Sequence, residues 1–291
     1  MVPTGTNGLT PSLDHMTADV ERPIGMFDSG FGGLTVARAV IDLLPAEDLV
    51  YIGDTARYPY GPKPAAEVRR YAREIAHSLV EDFSVKAVVI ACNTAAAAAF
   101  EDLSRELSVP VLSVVEPGVK SLTLATRNGH VGVIGTVGTI GSGAYQRALQ
   151  ELGGDVSLTA AACPGFVEFV ERGQTTGDEV MLLAERLLAP VRDAGVDALL
   201  LGCTHYPYLS RVISEVMGPD VVLVSSADET AFELRRLLGA SHLRRGHSHV
   251  GHHQFYSSGD VAWFADLGRR LLGPELEQAQ HWQQSPMHGS N

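Results

Sequence analysis

The feature that most constrains this chain is a pair of matching segments, each of which ends a buried strand in a cysteine. Residues 85–95 read VKAVVIACNTA and residues 196–206 read VDALLLGCTHY, so that Cys92 and Cys203 align without a gap. Continuous apolar runs of this kind are typical of parallel strands that are covered on both faces. The carboxyl ends of such strands meet at the crevice where open α/β sheets bind ligands. The two cysteines therefore predict two half-sites that face one substrate.

A second pair of similar segments indicates an internal duplication. Residues 24–29 read IGMFDS and residues 130–136 read HVGVIGT; Ile24 aligns with Val131 at an offset of 107 residues, close to the 111 residues between the cysteines. We therefore predict the α/β class, with two similar doubly wound domains related by pseudo-two-fold symmetry and an active site in the interdomain cleft. The alternative is a chance match, because apolar strands resemble one another.

The order of the segments predicts the domain boundaries. The second copy is inserted in the first, so that the chain crosses between the domains near Glu116 and again near Ser226. Helical periodicity is predicted over residues 67–83 and 178–191. The predicted divisions are a disordered leader over 1–22, a first α/β domain over 23–115 plus 226–272, a second α/β domain over 116–225 and a loose tail over 273–291.

Composition and charge argue against several classes of protein. The net charge of −12 makes nucleic acid or an anionic membrane an unfavourable main partner, and no apolar run approaches the roughly 18 residues that span a bilayer. The N-terminal residues lack the basic and apolar regions of a secretory signal. The three cysteines are odd in number and form no CxxC pair, so we expect free thiols in a reducing cytoplasm. The chain has only three lysines, which leaves few candidates for a Schiff base.

Two loops that follow predicted strands carry candidate substrate-binding groups. Asp28 and Ser29 open a Gly-rich turn before a helix, and a helix N-terminus offers free N–H groups to an anion or a zwitterion. The alternative role for Asp28 is a helix N-cap. In the second loop, the hydroxyl of Tyr60 and the N–H of Gly61 can both donate to a carboxylate. The alternative there is a structural turn in which Tyr60 packs in the interior.

The chemistry that two opposed thiols allow is narrow. A buried structural cysteine is common, and we assign that role to Cys163. Zinc would need more ligands than the nearby His205, and a cysteine hydrolase would leave one thiol unexplained. Two thiols on opposite sides of one carbon fit proton transfer with inversion, because one thiolate removes a proton and the other thiol returns one to the opposite face. A helix N-terminus or a protonated His205 would lower the pKa of such a thiol.

Four motifs, in this order and spacing, resemble those of the glutamate racemases of bacterial cell-wall synthesis. They are Asp28-Ser29-Gly30, Tyr58-Pro59-Tyr60-Gly61, Cys92-Asn93-Thr94-Ala95 and Gly202-Cys203-Thr204-His205-Tyr206-Pro207. The resemblance runs from about residue 23 to residue 272. It implies interconversion of L- and D-glutamate with no cofactor, whether pyridoxal phosphate, metal or nucleotide. It also implies a cytoplasmic homodimer that supplies D-glutamate for peptidoglycan synthesis.

The resemblance further implies roles for individual residues. Cys92 would be the base toward D-glutamate and Cys203 the base toward L-glutamate. Asp28, Glu171 and His205 would assist proton transfer around the thiols. The residues that match the family's substrate-binding positions are Asp28, Ser29, Tyr60, Gly61, Asn93, Thr94, Thr204 and His205. Asp28 can pair with the ammonium of glutamate, whereas the neutral donors can hold its two carboxylates.

Several alternatives stay open from the sequence alone. The chain could be a racemase for aspartate or another acidic amino acid, or a two-lobed amino-acid-binding protein without catalysis. Some relatives are reported to inhibit DNA gyrase, but nothing in this acidic sequence indicates such a role. Glu168 is the alternative to Glu171, which we prefer because it precedes the Arg-Gly end of its segment. The His- and Arg-rich residues 241–253 could bind a metal, but such clusters more commonly form a solvated loop.

Overall fold

Two parallel β-sheets, each flanked by helices, form the framework of the protein. A computed structural model describes residues 19–246 and 248–283. Most of the predicted leader, the end of the predicted tail and His247 lie outside the described residues. The strands are β1 (Ile24–Asp28), β2 (Leu49–Gly53), β3 (Ala87–Ile90), β4 (Val111–Ser113), β5 (His130–Gly135), β6 (Ser157–Ala162), β7 (Ala198–Gly202), β8 (Val222–Val224), β9 (His253–Ser257) and β10 (Gln280–His281).

The two sheets repeat one strand order. The first sheet runs β10-β9-β2-β1-β3-β4 and the second runs β6-β5-β7-β8, with parallel pairing throughout. The core of the first sheet, β2-β1-β3-β4, therefore has the same topology as the whole second sheet. Cys92 follows the third strand of one unit and Cys203 follows the third strand of the other. The predicted α/β class and the two similar domains are confirmed.

Helices connect the strands and cover the sheets. In chain order they are α1 (Leu34–Leu43), α2 (Ala65–Glu81), α3 (Asn93–Glu106), α4 (Val115–Ala125), α5 (Val137–Gly141), α6 (Ala144–Leu152), α7 (Phe166–Glu171), α8 (Asp178–Asp193), α9 (Ser210–Met217), α10 (Ser226–Ala240) and α11 (Val261–Leu272). Short 3₁₀ turns span Tyr206–Leu209 and Gly273–Glu275. The two helices predicted from periodicity are confirmed as α2 and α8, with ends that differ by two residues at most.

Side-chain caps begin several helices at the point where a strand ends. Cys92 caps α3 by accepting from the N–H of Ala95, and Thr136 caps α5 by accepting from the N–H of Thr139. Such caps satisfy N–H groups that have no partner inside the helix. The strands before these caps are buried, β3 at every residue and β5 at all but its first residue. A buried strand thus delivers a polar cap to the carboxyl edge of each sheet.

The chain passes between the two sheets in two helical stretches. Helix α4 leads from β4 of the first sheet to β5 of the second, and α10 leads from β8 back to β9. Helix α10 packs against both α1 and α4. The first sheet thus takes its strands from residues 24–113 and 253–281, and the second takes its strands from residues 130–224.

The beginning of the C-terminal stretch differs from the predicted loose tail. Strand β10 pairs with Tyr256 and Ser257 of β9, which extends the first sheet by one strand. The next residue, Trp282, is buried, and its indole N–H donates to Ser78 at 2.9 Å. A two-residue strand carries no hydrophobic periodicity, and this stretch is held by the buried Leu276 and Trp282 and by the pairing of Glu275 with Arg38. The prediction of a loose tail from residue 273 is therefore wrong for residues 273–283.

The His- and Arg-rich segment lies against the beginning of β2. Arg245 pairs with Asp48 at 2.6 Å, and Nε2 of His249 lies 2.9 Å from the same carboxylate. The buried Lys86 pairs with the buried Glu47 next to Asp48. These contacts anchor the connection between α10 and β9 at the sheet edge opposite the cysteines. Across the part of the chain that the structure describes, no group of three or more His, Cys, Asp or Glu side chains could hold a metal ion.

Among residues 19–246 and 248–283, no helix combines the length and the apolar character that crossing a bilayer requires.

Candidate active site

The carboxyl ends of the central strands of both sheets meet in one buried site. The two cysteines follow β3 and β7, and polar residues follow β1 and β5 beside them. The side chains that line this site are almost fully removed from solvent although most are polar or titratable. They are Asp28, Ser29, Cys92, Asn93, Thr94, Thr139, Cys203, Thr204 and His205. Buried polar groups are costly unless they find partners, so such a concentration indicates a functional site.

Cys92 lies at the N-terminus of α3. Its sulfur accepts from the N–H of Ala95 at 3.4 Å. Burial, followed by the charge of Asp28, raises the pKa of the Cys92 thiol to about 11, and hydrogen bonds from Ala95 and Ser29 oppose the rise. In the protein alone, burial therefore outweighs the helix N-terminus, and the thiol stays protonated at neutral pH.

Cys203 lies beside the imidazole of His205. The sulfur is 3.8 Å from Nδ1 of His205, and burial raises the pKa of this thiol above its usual value, with smaller contributions from the charges of Cys92 and Asp28. Burial also lowers the pKa of His205 to about 4. The expectation of a protonated His205 beside the thiol is therefore wrong, because a fully buried imidazole stays neutral at physiological pH. His205 can act on Cys203 only as a neutral hydrogen-bonding partner.

Asp28 ends β1 and is completely buried. One carboxylate oxygen accepts from the N–H of Gly30 at 2.8 Å, and the other lies 3.4 Å from the hydroxyl of Thr204 in the second domain. Burial raises the pKa of Asp28 to about 6, although the N–H groups of Gly30 and Gly33 and the Thr204 hydroxyl act in the opposite direction. At neutral pH the site thus holds a buried carboxylate with no cationic partner in its hydrogen bonds, which is suited to an incoming cation.

Three threonine hydroxyls from both domains form a cluster next to Cys92. Oγ1 of Thr94 lies 3.0 Å from that of Thr136 and 3.1 Å from that of Thr139, and the last two are 2.9 Å apart. Sequence reasoning missed Thr136 and Thr139. The signal was present in the duplication, because the alignment of Ile24 with Val131 places Thr136 opposite Ser29. Hydroxyl groups can rotate to donate, so the cluster can present donors to an anionic ligand.

The structure directs the hydroxyl of Tyr60 away from the cysteines. Tyr60 is buried in the first domain, and its hydroxyl donates to Asp54, which also accepts from Arg57. In the structure this hydroxyl is engaged by Asp54, so its predicted donation to a substrate carboxylate would require Tyr60 to leave that contact. The neighbouring Gly61 lies at the domain interface, where its carbonyl accepts from the N–H of Gly138 at 3.0 Å. The main-chain groups of the Tyr60-Gly61 pair stay candidates for a substrate contact.

Asn93 connects the two domains through a residue that the sequence did not reveal. Its Nδ2 donates to the hydroxyl of Tyr145 on α6 at 2.7 Å. Its Oδ1 is buried and has no hydrogen-bond partner among the described residues. A buried amide oxygen without a donor is unusual in folded proteins. Asn93 therefore offers an acceptor to a ligand that carries a donor.

Glu171 and Tyr58 both approach the far nitrogen of His205. Oε1 of Glu171 lies 3.8 Å from Nε2, whereas the hydroxyl of Tyr58 lies 3.3 Å from it. Burial raises the pKa of Glu171 to about 7. Oε1 of Glu171 also lacks a hydrogen-bond partner among the described residues. The carboxyl beside His205 thus belongs to Glu171, at the end of α7, and not to Glu168. Sequence reasoning did not single out Tyr58.

The Gly-rich turn after β1 allows residues of both domains to pack against its backbone. A Cβ on Gly32 would lie 2.7 Å from Nδ1 of His205 and closer still to the hydroxyl of Thr204. A Cβ on Gly30 would lie 3.0 Å from the ring of Tyr58. These glycines therefore permit close approach of side chains that surround the buried site.

Replacing Gly32 with alanine is expected to separate the turn from His205 and Thr204. The added methyl group overlaps both side chains, so we expect stability to fall by about 1–3 kcal/mol, the usual range for overpacking. Activity assays and chemical denaturation would show a joint loss of activity and stability. Gly239→Ala is the matched control, because no atom lies within 4 Å of a Cβ at that helical position. Equal behaviour of the two variants would contradict the tight packing at Gly32.

Residues 25–233 match the profile of the Asp/Glu/hydantoin racemase family. The chain is 51% identical over 269 residues to a glutamate racemase of Beutenbergia cavernae, with 88% of this chain and 91% of that protein covered. It is similar to the crystal structure of a glutamate racemase isoform from Bacillus anthracis, with a TM-score of 0.84, 40% identity and coverage of 89% and 96%. The glutamate racemase of Francisella tularensis, solved in complex with D-glutamate, matches with a TM-score of 0.83, 34% identity and coverage of 91% and 98%.

Proposed function

The chain belongs to the Asp/Glu/hydantoin racemase family, and from that premise we propose that it interconverts L- and D-glutamate by proton transfer between two cysteines. The observation that carries the proposal is the equivalent position of Cys92 and Cys203 after the third strand of two sheets with one topology. Two domains with the same strand order thus present one thiol each to a single buried site. Two equivalent acid–base groups are what inversion at one carbon requires.

Glutamate fits the polar groups of the site. Its ammonium is a cation with three donors, and Asp28 and the unpartnered Oδ1 of Asn93 are acceptors for it. Its carboxylates need donors, which the hydroxyls of Ser29 and Thr204 and those of the threonine cluster can supply. Charge-assisted hydrogen bonds of this kind are stronger than those between neutral groups. The supporting feature is a neutral set of donors around one buried carboxylate.

The proposed reaction moves one proton off Cα and another onto it. With L-glutamate bound, the thiolate of Cys203 takes the Cα proton and becomes a thiol. The thiol of Cys92 gives its proton to the opposite face of the resulting carbanion and becomes a thiolate. D-Glutamate leaves, and the same two steps in reverse convert D-glutamate to L-glutamate. Atoms and charge balance, because one thiol and one thiolate are present before and after.

The surroundings of the thiols support the carbanion step. An ammonium next to Cα and hydrogen bonds to the α-carboxylate both stabilise negative charge that develops at Cα. Burial of the whole site excludes water and strengthens these contacts. In the protein alone both thiols have raised pKa values. A bound ammonium would favour ionisation of one of them, so that thiolate formation accompanies substrate binding.

The biological setting belongs to the same proposal. D-Glutamate made by this reaction would supply peptidoglycan synthesis, and the protein would act in the cytoplasm as a homodimer without a cofactor. Three free, buried cysteines are consistent with a reducing compartment. Light scattering after gel filtration would test the oligomeric state.

Incubation of the purified protein with D-glutamate in D₂O, without added cofactor, tests the reaction. We expect L-glutamate that carries deuterium at Cα, because the proton returned to the carbanion comes from a thiol that exchanges with solvent. Aspartate in a parallel incubation distinguishes the substrate. Faster turnover of aspartate than of glutamate would indicate an aspartate racemase. Tight glutamate binding without exchange at Cα would indicate a binding protein without catalysis.

A further inference from the structure

We propose that the hydroxyl of Tyr58 is a positioning group that donates to Nε2 of His205 and so holds the proton of the neutral imidazole on Nδ1, facing the sulfur of Cys203. The proposal deepens the two-cysteine reaction and rests on it. Tyr58 belongs to the first domain, whereas His205 and Cys203 belong to the second, so the contact also completes the site when the domains are together.

The two ring nitrogens of His205 contact two different groups. The hydroxyl of Tyr58 lies 3.3 Å from Nε2 of His205, and Nδ1 of the same ring lies 3.8 Å from Sγ of Cys203. A neutral imidazole has one N–H and one bare nitrogen, so the partner of one nitrogen decides what the other can do. A hydrogen bond from Tyr58 to Nε2 leaves the N–H on Nδ1. Nδ1–H can then donate to the thiolate of Cys203.

Packing holds the two rings in this arrangement. The rings of Tyr58 and His205 are inclined by 29° with centroids 6.0 Å apart. Phe31 lies edge-on to His205 at a centroid distance of 5.0 Å. The backbone of the Gly-rich turn lies close to both rings, because a Cβ at either Gly30 or Gly32 would press on one of them. The imidazole is 3% exposed, so water contributes little to the choice of tautomer.

Glu171 favours the opposite tautomer. Its Oε1 lies 3.8 Å from Nε2 of His205, and an ionised carboxylate can only accept, so it would draw the proton to Nε2. Nδ1 would then face the sulfur with a lone pair and destabilise the thiolate. The titratable groups around the imidazole are Cys203, Glu171 and Tyr58, with Asp28 beyond Thr204. Of these, Tyr58 is the group whose hydroxyl can donate to Nε2 at every pH of interest.

Tyr58→Phe removes the hydroxyl and keeps the ring. We expect kcat/KM to fall about tenfold in both directions, the factor that one lost hydrogen bond to a reacting group supports. The loss should be larger at pH 8.5 than at pH 6, because Glu171, with its pKa of about 7, competes for the proton only when it is ionised. Tyr256→Phe is the matched control, since that hydroxyl donates to Gln254 in the first sheet, away from the cysteines.

The tautomer itself can be observed by ¹⁵N NMR of histidine-labelled protein. His205→Gln identifies the resonances of His205 among the eleven histidines. At pH 8.5, where Glu171 is ionised, we expect Nδ1 of His205 to be protonated in the wild type and Nε2 to be protonated in Tyr58→Phe. This measurement does not depend on turnover, so it decides the proposal even if glutamate proves not to be the substrate.

The tautomer of His205 and the pH dependence of kcat/KM together decide the proposal. A changed tautomer together with a pH-dependent loss of kcat/KM supports the positioning role. An unchanged tautomer overturns the proposal, even where activity falls, because the hydroxyl would then act in another way. A fall in activity that is equal at pH 6 and pH 8.5 also overturns it, since competition with Glu171 would not be involved.

Discussion

Replacing either Cys92 or Cys203 with alanine is expected to lower racemisation by at least about 10³-fold. General acid–base catalysis by one positioned group contributes roughly 10²–10⁴-fold, and each variant loses the thiol that the two-base reaction places on one face of Cα. Both residues are buried at the ends of β3 and β7, so bulk water has little access to the position of the missing thiol. Enantioselective chromatography after incubation with each enantiomer in turn would measure the loss in both directions.

The third cysteine provides the control for this experiment. Cys163 is buried like the other two, and burial raises its pKa to about 12. Unlike Cys92 and Cys203, it has no carboxylate or second thiol near enough to affect its pKa. Cys163→Ala should keep its activity within about twofold and lose about 1 kcal/mol of stability, as for a small buried truncation. Full turnover in the Cys92 or Cys203 variant, with a fold verified by circular dichroism, would refute the two-base reaction.

Much of the fold could be predicted because the strands that precede Cys92 and Cys203 are continuous apolar runs. Residues 87–90 and 198–202 are buried without interruption and consist of apolar residues and a glycine, which is typical of central parallel strands. Strand β6, SLTAAA, was not predicted, since it is an edge strand of the second sheet with only one fully buried residue and few strand-forming side chains. Trp282 was missed because its partner Ser78 is far away in sequence.

The site was less predictable than the fold because its partners come from both domains. Tyr58 and Tyr60 stand two residues apart in one Pro- and Gly-rich loop, and no local pattern distinguishes them. One hydroxyl contacts Asp54 within its own domain, whereas the other contacts His205 of the second domain. Tyr145 likewise reaches the site by a contact between the domains, since its hydroxyl accepts from Asn93. Sequence motifs identify residue types at strand ends, but long-range packing decides which atoms face the ligand.

The buried carboxyl of Asp28 lowers the stability of the folded protein when it is ionised. Its folded pKa of about 6 lies above the ordinary 3.8, so the folded state favours the protonated form. The stability that the neutral carboxyl contributes is fully present below pH 3.8 and is lost as the pH rises through 6. The difference between 3.8 and about 6 corresponds to at most about 3 kcal/mol at about 1.36 kcal/mol per pH unit. Above pH 6 the protein therefore holds a charge that destabilises it.

Asp28→Asn is expected to make the protein more stable and nearly inactive at pH 8. Asparagine is neutral and keeps an oxygen to accept from the N–H of Gly30, so the penalty of the buried charge disappears while the turn is retained. Urea denaturation should show an advantage of up to about 3 kcal/mol at pH 8 that shrinks as the pH falls from 6 toward 3.8. Activity should fall about 100-fold, because a neutral amide forms a weaker hydrogen bond to the substrate ammonium than a carboxylate does.

Asp197→Asn is the control for Asp28→Asn, because its expected change in stability at pH 8 has the opposite sign. Asp197 accepts from Thr126 and from the N–H groups of Arg127 and Asn128, and these hydrogen bonds hold its pKa below the usual value despite some burial. Its charged form thus stabilises the protein above pH 3.8, and that contribution is lost as the pH falls. Asp197→Asn should therefore be less stable at pH 8 and fully active. If Asp28→Asn instead lost stability at pH 8, or kept its activity, Asp28 would be a structural carboxylate and not the partner of the substrate ammonium.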